Sequence, residues 1–79
     1  MTLKEVRLEF NGSNMKAIDT TTNEVIINNI TPFDTFVYQG ETGFIEYNHH
    51  SYTHWKFVSD NGAKVRKTIT NNMIIDLLI

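Results

Sequence analysis

The stretch NHHSYTHWKF, residues 48–57, concentrates the side chains of this chain that could do chemistry. It holds all three histidines, the only tryptophan, a tyrosine and a lysine. Histidine binds metal ions and transfers protons, whereas aromatic rings next to cations bind nucleic acid. The stretch therefore raises three hypotheses: a metal site, a nucleic-acid surface, or a strand whose outer face is simply solvated.

The spacing of the histidines argues against a metal site or a catalytic one. His50 and His54 are four positions apart, which on a strand separates them by about 13 Å, and His49 and His50 point to opposite faces of an extended chain. One ion could be shared only if residues 48–51 bend. The chain has no cysteine, no paired-carboxylate arrangement and no phosphate-binding glycine loop. We therefore expect no metal, no cofactor, no catalytic residue and no enzymatic activity.

The C-terminal part of the chain is locally basic, although the net charge of −2 argues against a surface that is basic throughout. Residues 49–79 carry four cationic side chains against two carboxylates. This pattern supports single-stranded RNA or DNA binding as the alternative function. The residues predicted for it are His50, Tyr52, His54, Lys56, Lys64 and Arg66. Trp55 suits the core better than a surface on which bases stack, and this weakens the nucleic-acid hypothesis.

Hydrophobic periodicity predicts short strands. From Glu5 to Phe10, apolar and charged residues alternate strictly, as in a half-buried strand. Turn-forming residues at 11–14 and 20–23 and the Thr31-Pro32 step interrupt the pattern. The predicted strands are Glu5–Phe10, Met15–Asp19, Val25–Ile30, Phe33–Gln39, Phe44–Asn48, Ser51–Ser59 and Ala63–Thr70.

The hairpin around Gly40–Gly43 is apolar on both faces. We expect Phe36, Tyr38 and Phe44 to share one face and Val37, Ile45 and Tyr47 to share the other. A strand that is apolar on both faces is either central in its sheet or partly exposed for a partner. The central position is favoured.

The last hairpin is closed by Asp60-Asn61-Gly62. A three-residue loop with Gly62 left-handed pairs Phe57 with Val65 and Trp55 with Lys67, and it is preferred to a two-residue Asn61-Gly62 turn. It places Trp55, Phe57, Val65 and Ile69 on the core face. It also sets Lys56 opposite Arg66, whereas the two-residue turn sets it opposite Lys67, so like charges meet in both registers.

Residues 73–79 are predicted either as a short helix capped by Asn72 or as a buried strand. The whole chain, residues 1–79, is predicted to be one domain because two cores cannot be built from so few residues. Closely spaced strands without a crossover helix predict an all-β fold. We expect a small antiparallel meander forming a barrel or a two-layer sandwich.

Function is predicted by elimination. The segment MTLKEVRLEF lacks the apolar core of a signal peptide, and no apolar run could span a membrane, so we expect a cytoplasmic protein. Abundant Asn, Ile and Thr suggest an AT-rich gene, for which a bacteriophage is a natural source. We expect an accessory protein that modulates or inhibits a host protein complex of unknown identity, or that forms a homo-oligomer. The predicted protein-binding anchors are Phe36, Tyr38, Phe44 and Tyr52.

Overall fold

The predicted all-β fold is confirmed. A computed structural model describes residues 2–47 and 55–79, which form eight antiparallel strands in one sheet. The strands are β1 (Leu3–Asn11), β2 (Asn14–Asp19), β3 (Val25–Ile27), β4 (Thr35–Tyr38), β5 (Glu41–Tyr47), β6 (Trp55–Ser59), β7 (Arg66–Thr68) and β8 (Met73–Leu78). The C-terminal segment is therefore a strand and not a helix. No helix in the described part of the chain is long and apolar enough to cross a membrane.

The sheet consists of two meanders joined by the C-terminal strand. Its order is β3-β2-β1-β8-β4-β5-β6-β7, so β8 lies between β1 and β4. Asp76 is consequently opposite Glu5 on one side and Val37 on the other. Only Asp76 is polar among residues 73–79, and this composition suits a strand with a neighbour on each side.

One face of the sheet forms the core. The alternation in β1 is as predicted: Val6 and Leu8 are fully buried, while Glu5 is exposed. Phe36, Phe57 and Met15 are also fully buried. The wider cluster contains Ala17, Ile30, Ile45, Trp55, Ile69, Ile75 and Leu77.

The sheet curls so that its two ends pack against each other. Met15 and Ile30, near the β3 end of the strand order, share the core cluster with Trp55 and Ile69, near the β7 end. Trp55 Nε1 donates a hydrogen bond to the carbonyl oxygen of Gly12, at the β1–β2 turn, at 3.0 Å. The result is a barrel-like sheet whose edge strands β3 and β7 do not pair.

The face assignment predicted for the β4–β5 hairpin is wrong, although its central position is confirmed. Gln39 and Gly40 form the turn with φ of 53° and 79°, as in a type I′ turn. Tyr38 then opposes Glu41, and Phe36 opposes Gly43. Even-numbered residues of β4 therefore share a face with odd-numbered residues of β5. Phe44 lies on the outer face with Val37, whereas Ile45 and Tyr47 join the core.

The β6–β7 register differs from both predicted registers. Phe57 opposes Lys67, Lys56 opposes Thr68, and the N–H of Ser59 donates to Val65. The loop therefore spans residues 60–64, with Gly62 and also Ala63 at positive φ. Relative to the preferred three-residue loop, this longer loop shifts the pairing by an even number of positions along β7. The residues predicted for the core face therefore stay on that face.

The like-charge pair expected at Lys56 is consequently absent from this hairpin. Lys56 lies between Thr68 of β7 and Glu46 of β5, a carboxylate. Arg66 opposes Val58 instead. The repulsion predicted between Lys56 and a directly opposed cation is therefore not formed.

Candidate protein-binding surface

The histidine-rich stretch supplies no structural evidence for a site. His49, His50, Tyr52 and His54 lie outside the described residues, so the expectation that they hold no metal and their part in the nucleic-acid hypothesis remain predictions. Among the residues that are described, no group of three or more His, Asp or Glu side chains is placed to hold a metal ion.

The other predicted anchors have different environments. Phe36 has no exposed surface, so it cannot contact a partner, because its side chain fills the core between β8 and β5. Tyr38 is half-buried, and its ring lies 5.7 Å from that of Phe57. Phe44 is half-buried on the outer face, where it opposes Val58. Of these three side chains, only Phe44 lies on the outer face, where a partner could contact it.

The most exposed large apolar side chain among the described residues belongs to a position that the sequence predicts to lie inside a strand. Phe33 is 94% exposed, and it lies in the turn between β3 and β4 rather than in β4. The other exposed large apolar side chains are between 41% (Ile26) and 54% (Leu3 and Ile74) exposed. Removing an aromatic ring from water is favourable. An isolated ring that is almost fully exposed gains this free energy only if another surface covers it.

The turn that carries Phe33 is held by its own side chains. The N–H of Asp34 donates to the carbonyl of Thr31 at 3.1 Å, and the N–H of Thr31 donates to Asp34 Oδ2 at 2.8 Å. The N–H of Phe33 donates to Thr31 Oγ1 at 3.3 Å. Pro32 fixes its own φ at the second position. The backbone under Phe33 is therefore constrained without help from the core.

A cleft opens beside this turn. Its volume is about 510 Å³, and its apolar walls come from Ile30, Pro32, Ile45, Tyr47 and Trp55. The rings of Tyr47 and Trp55 stack with centroids 4.9 Å apart and planes inclined by 18°. Ser13, Asn29, Thr31 and Glu46 contribute polar groups.

The described lining of the cleft is mostly apolar and uncharged. Among the described residues that line it, Glu46 is the only carboxylate, and none carries an amine. The carboxylate with a shifted pKa lies elsewhere: Lys4 Nζ donates to Asp19 Oδ2 at 2.7 Å. This hydrogen bond, with a second from the N–H of Thr21, lowers the pKa of Asp19, although burial opposes the shift. Asp19 is a structural residue that ties β2 to β1.

A second surface is cationic. Lys64, Arg66 and Lys67 are all exposed at the β7 end of the sheet. The ion pairs recorded for the described residues involve Lys4 and Arg7, not these three side chains. Trp55 is 5% exposed and turned into the core, so its ring is not available for stacking on a base.

The sequence contains a turn pattern around Phe33, but the hydrophobicity of Phe33 favours a strand instead. Thr31-Pro32-Phe33-Asp34 has proline at the second position of a turn and an aspartate that can accept hydrogen bonds from its backbone. Phe33 is instead predicted in the strand that follows because Phe favours strands.

Comparisons of the chain with models of protein families, with curated proteins and with solved structures found no match.

Proposed function

We propose that this chain is a non-enzymatic protein-binding module that attaches to its partner through Phe33 and the adjoining cleft. The single observation that carries the proposal is the 94% exposure of Phe33 on a turn fixed by its own hydrogen bonds. Interface hot spots are commonly aromatic side chains that enter a pocket on the partner.

The energetics favour this use of the turn. Full burial of a Phe side chain stabilises a complex by about 2–3 kcal/mol. Association costs entropy when side chains and loops must be ordered. Because Thr31, Pro32 and Asp34 already hold the backbone, the Phe33 turn loses little further conformational entropy on binding. The ordering cost that opposes burial of the ring is therefore small, although the loss of translational and rotational freedom still opposes association.

The cleft supports a contact larger than one ring. Thr31 and Pro32 belong both to the turn and to the wall of the cleft, so a partner that covers Phe33 meets the cleft as well. The half-buried ring of Tyr47, which stacks on the buried ring of Trp55, offers an apolar surface for a partner side chain. We propose that the partner combines an apolar pocket for Phe33 with a projecting apolar group for the cleft.

The biological role that follows is stoichiometric. We propose that the chain is an accessory protein, encoded by a bacteriophage, that acts in the host cytoplasm by occupying a surface of a host complex. No catalytic step is needed for such a role. Occupation of the surface would modulate or inhibit the complex in proportion to the amount of the chain.

Affinity capture from host lysate tests the proposal. The tagged wild-type chain is compared with Phe33→Ser and with Val25→Ser, a control that removes another exposed apolar side chain. We expect the wild type and Val25→Ser to retain the same protein and Phe33→Ser to lose it. Equal capture by all three chains, or capture of nothing by the wild type, would contradict the proposal.

Single-stranded nucleic-acid binding is the second candidate function. The exposed cations Lys64 and Arg66 support it, and Lys56 lies on the same outer face as Arg66. The burial of Trp55 counts against it. An oligonucleotide should be retarded by the wild type with an affinity that falls steeply as salt rises, and Lys56→Glu with Arg66→Glu should abolish the retardation. Absence of retardation at low salt would end this hypothesis.

A further inference from the structure

Strand β7 forms one open edge of the sheet and is exposed over its whole length. It is held in place from both ends, because Val65 packs against the core and Ile69 is 3% exposed. The strand between these two anchors contacts the sheet on one side only. No described residue pairs with its other side, which is therefore open to an additional strand.

The pairing pattern identifies the backbone groups that face this open side. The N–H of Ser59 donates to Val65, and the N–H of Ile69 donates to Trp55. Hydrogen-bonded pairs alternate with non-bonded ones along an antiparallel ladder, so Lys67 is bonded to Phe57. The N–H and C=O groups of Arg66 and Thr68 therefore point away from β6.

The side chains of this edge are cationic on both faces of the sheet. Arg66 shares the outer face with Val58, while Lys67 shares the opposite face with Phe57. Lys64, just before the strand, adds a third exposed cation. An entering strand would therefore meet positive charge on whichever face its own side chains project.

Charge selects which strand can enter. Lysine on an edge strand repels another copy of the same edge, which protects a sheet from uncontrolled growth. The same charges favour an acidic strand, because opposite charges placed across neighbouring strands stabilise the pair. The preference over nucleic acid comes from the backbone groups of Arg66 and Thr68, which a peptide strand satisfies and a phosphate backbone satisfies only in part.

We propose that the open edge of β7 binds an extended acidic peptide segment of another protein as an additional strand of the sheet. Backbone hydrogen bonds to Arg66 and Thr68 supply affinity, and carboxylates opposite Arg66 and Lys67 supply specificity. Since these two cations project from opposite faces, the segment carries acidic residues at consecutive positions. The site uses different residues from the Phe33 turn and does not depend on it.

The test uses the full chain and a capped peptide with consecutive glutamates between valines and threonines. Binding is measured by isothermal titration calorimetry at low salt. We expect the peptide to bind, and the same peptide methylated at its central amides to bind at least about tenfold more weakly, because it keeps its charge but lacks donors for the ladder. Arg66→Gln with Lys67→Gln should also weaken binding by about tenfold.

A second variant separates the backbone from the charge. Thr68→Pro removes an N–H that faces the open edge and leaves all three cations in place, and proline is tolerated on edge strands. We expect it to weaken peptide binding, whereas Phe33→Ser should leave peptide binding unchanged. Equal affinity for the methylated and unmethylated peptides, tighter binding of oligothymidylate than of the peptide, or no peptide binding at low salt would overturn the proposal.

Discussion

Trp55 Nε1 donates a hydrogen bond of 3.0 Å to the carbonyl oxygen of Gly12, and this bond joins β6 to the β1–β2 turn across the curled sheet. The two residues are 43 positions apart, so the bond links the two meanders. Trp55 also forms a wall of the cleft. The bond therefore fixes the barrel-like curl and the shape of the proposed binding surface together.

Replacing Trp55 by phenylalanine tests this link. Trp55→Phe removes the donor and part of the buried ring, so we expect the free energy of unfolding to fall by about 2 kcal/mol. Urea denaturation followed by circular dichroism measures the change. Phe33→Ala is the control and should change stability by less than about 0.5 kcal/mol, since its ring is outside the core. Equal stabilities of wild type and Trp55→Phe would contradict the stabilising role assigned to the bond and to the buried ring.

Gly43 tests the packing of β5 on β6. A Cβ atom at this position would overlap the carbonyl oxygen of Val58 and lie 2.7 Å from Cζ of Phe57. We expect Gly43→Ala to destabilise the fold by about 3 kcal/mol, because backbone must move. Gly12→Ala is a matched control with open space around its Cβ and φ of +64°; its cost should be about 1 kcal/mol. Thermal unfolding of the two variants distinguishes the cases, and a milder effect at Gly43 than at Gly12 would contradict the packing.

The Lys4–Asp19 contact predicts a loss of stability in acid. The pKa of Asp19 is lowered from its ordinary value of 3.8 in the folded state. Its contribution to stability is therefore complete above the unfolded-state value and is lost as the pH falls through the folded-state value. We expect Asp19→Asn to be less stable than wild type at neutral pH and the difference to shrink below pH 3.8. Parallel stability curves for wild type and Asp19→Asn would refute the assignment.

Adding a charge to one edge strand and removing a charge from the other should change the aggregation rate in opposite directions. Strand β3 has the exposed apolar residues Val25 and Ile26 and no cation, and only its irregular pairing with β2 protects it. We expect Ile26→Lys to slow aggregation on heating and Lys67→Ile, on β7, to accelerate it. Light scattering at matched protein concentrations measures both rates. Faster aggregation of Ile26→Lys than of wild type would contradict the role assigned to the β3 edge.

Local patterns in the sequence were sufficient to predict the strands but not their arrangement. The alternation in β1 placed Val6 and Leu8 in the core because side-chain period is a local property. The insertion of β8 between β1 and β4 depends on contacts between distant segments, which no periodicity records. The sequence therefore predicts one meander, and it leaves residues 73–79 open between a short helix and a strand.

Turn geometry limited the prediction of registers and of the candidate surface. Ala63 adopts φ of 54°, a conformation that non-glycine residues rarely take, so a loop ending at Gly62 was the better prediction from sequence. The β propensity of Phe33 predicts a strand, but the side-chain hydrogen bonds of Thr31 and Asp34 hold this segment as a turn. Both errors arise where backbone conformation is set by a few specific hydrogen bonds.

Site-specific photo-crosslinking measures the central proposal most directly. A photoreactive phenylalanine analogue replaces Phe33 in one chain and Phe44, the sequence-predicted anchor, in another, and each is irradiated in host lysate. We predict a discrete adduct from position 33 that is competed by excess wild-type chain but not by Phe33→Ser. An adduct from position 44 alone, or none from either position, would contradict the assignment of Phe33 as the principal contact.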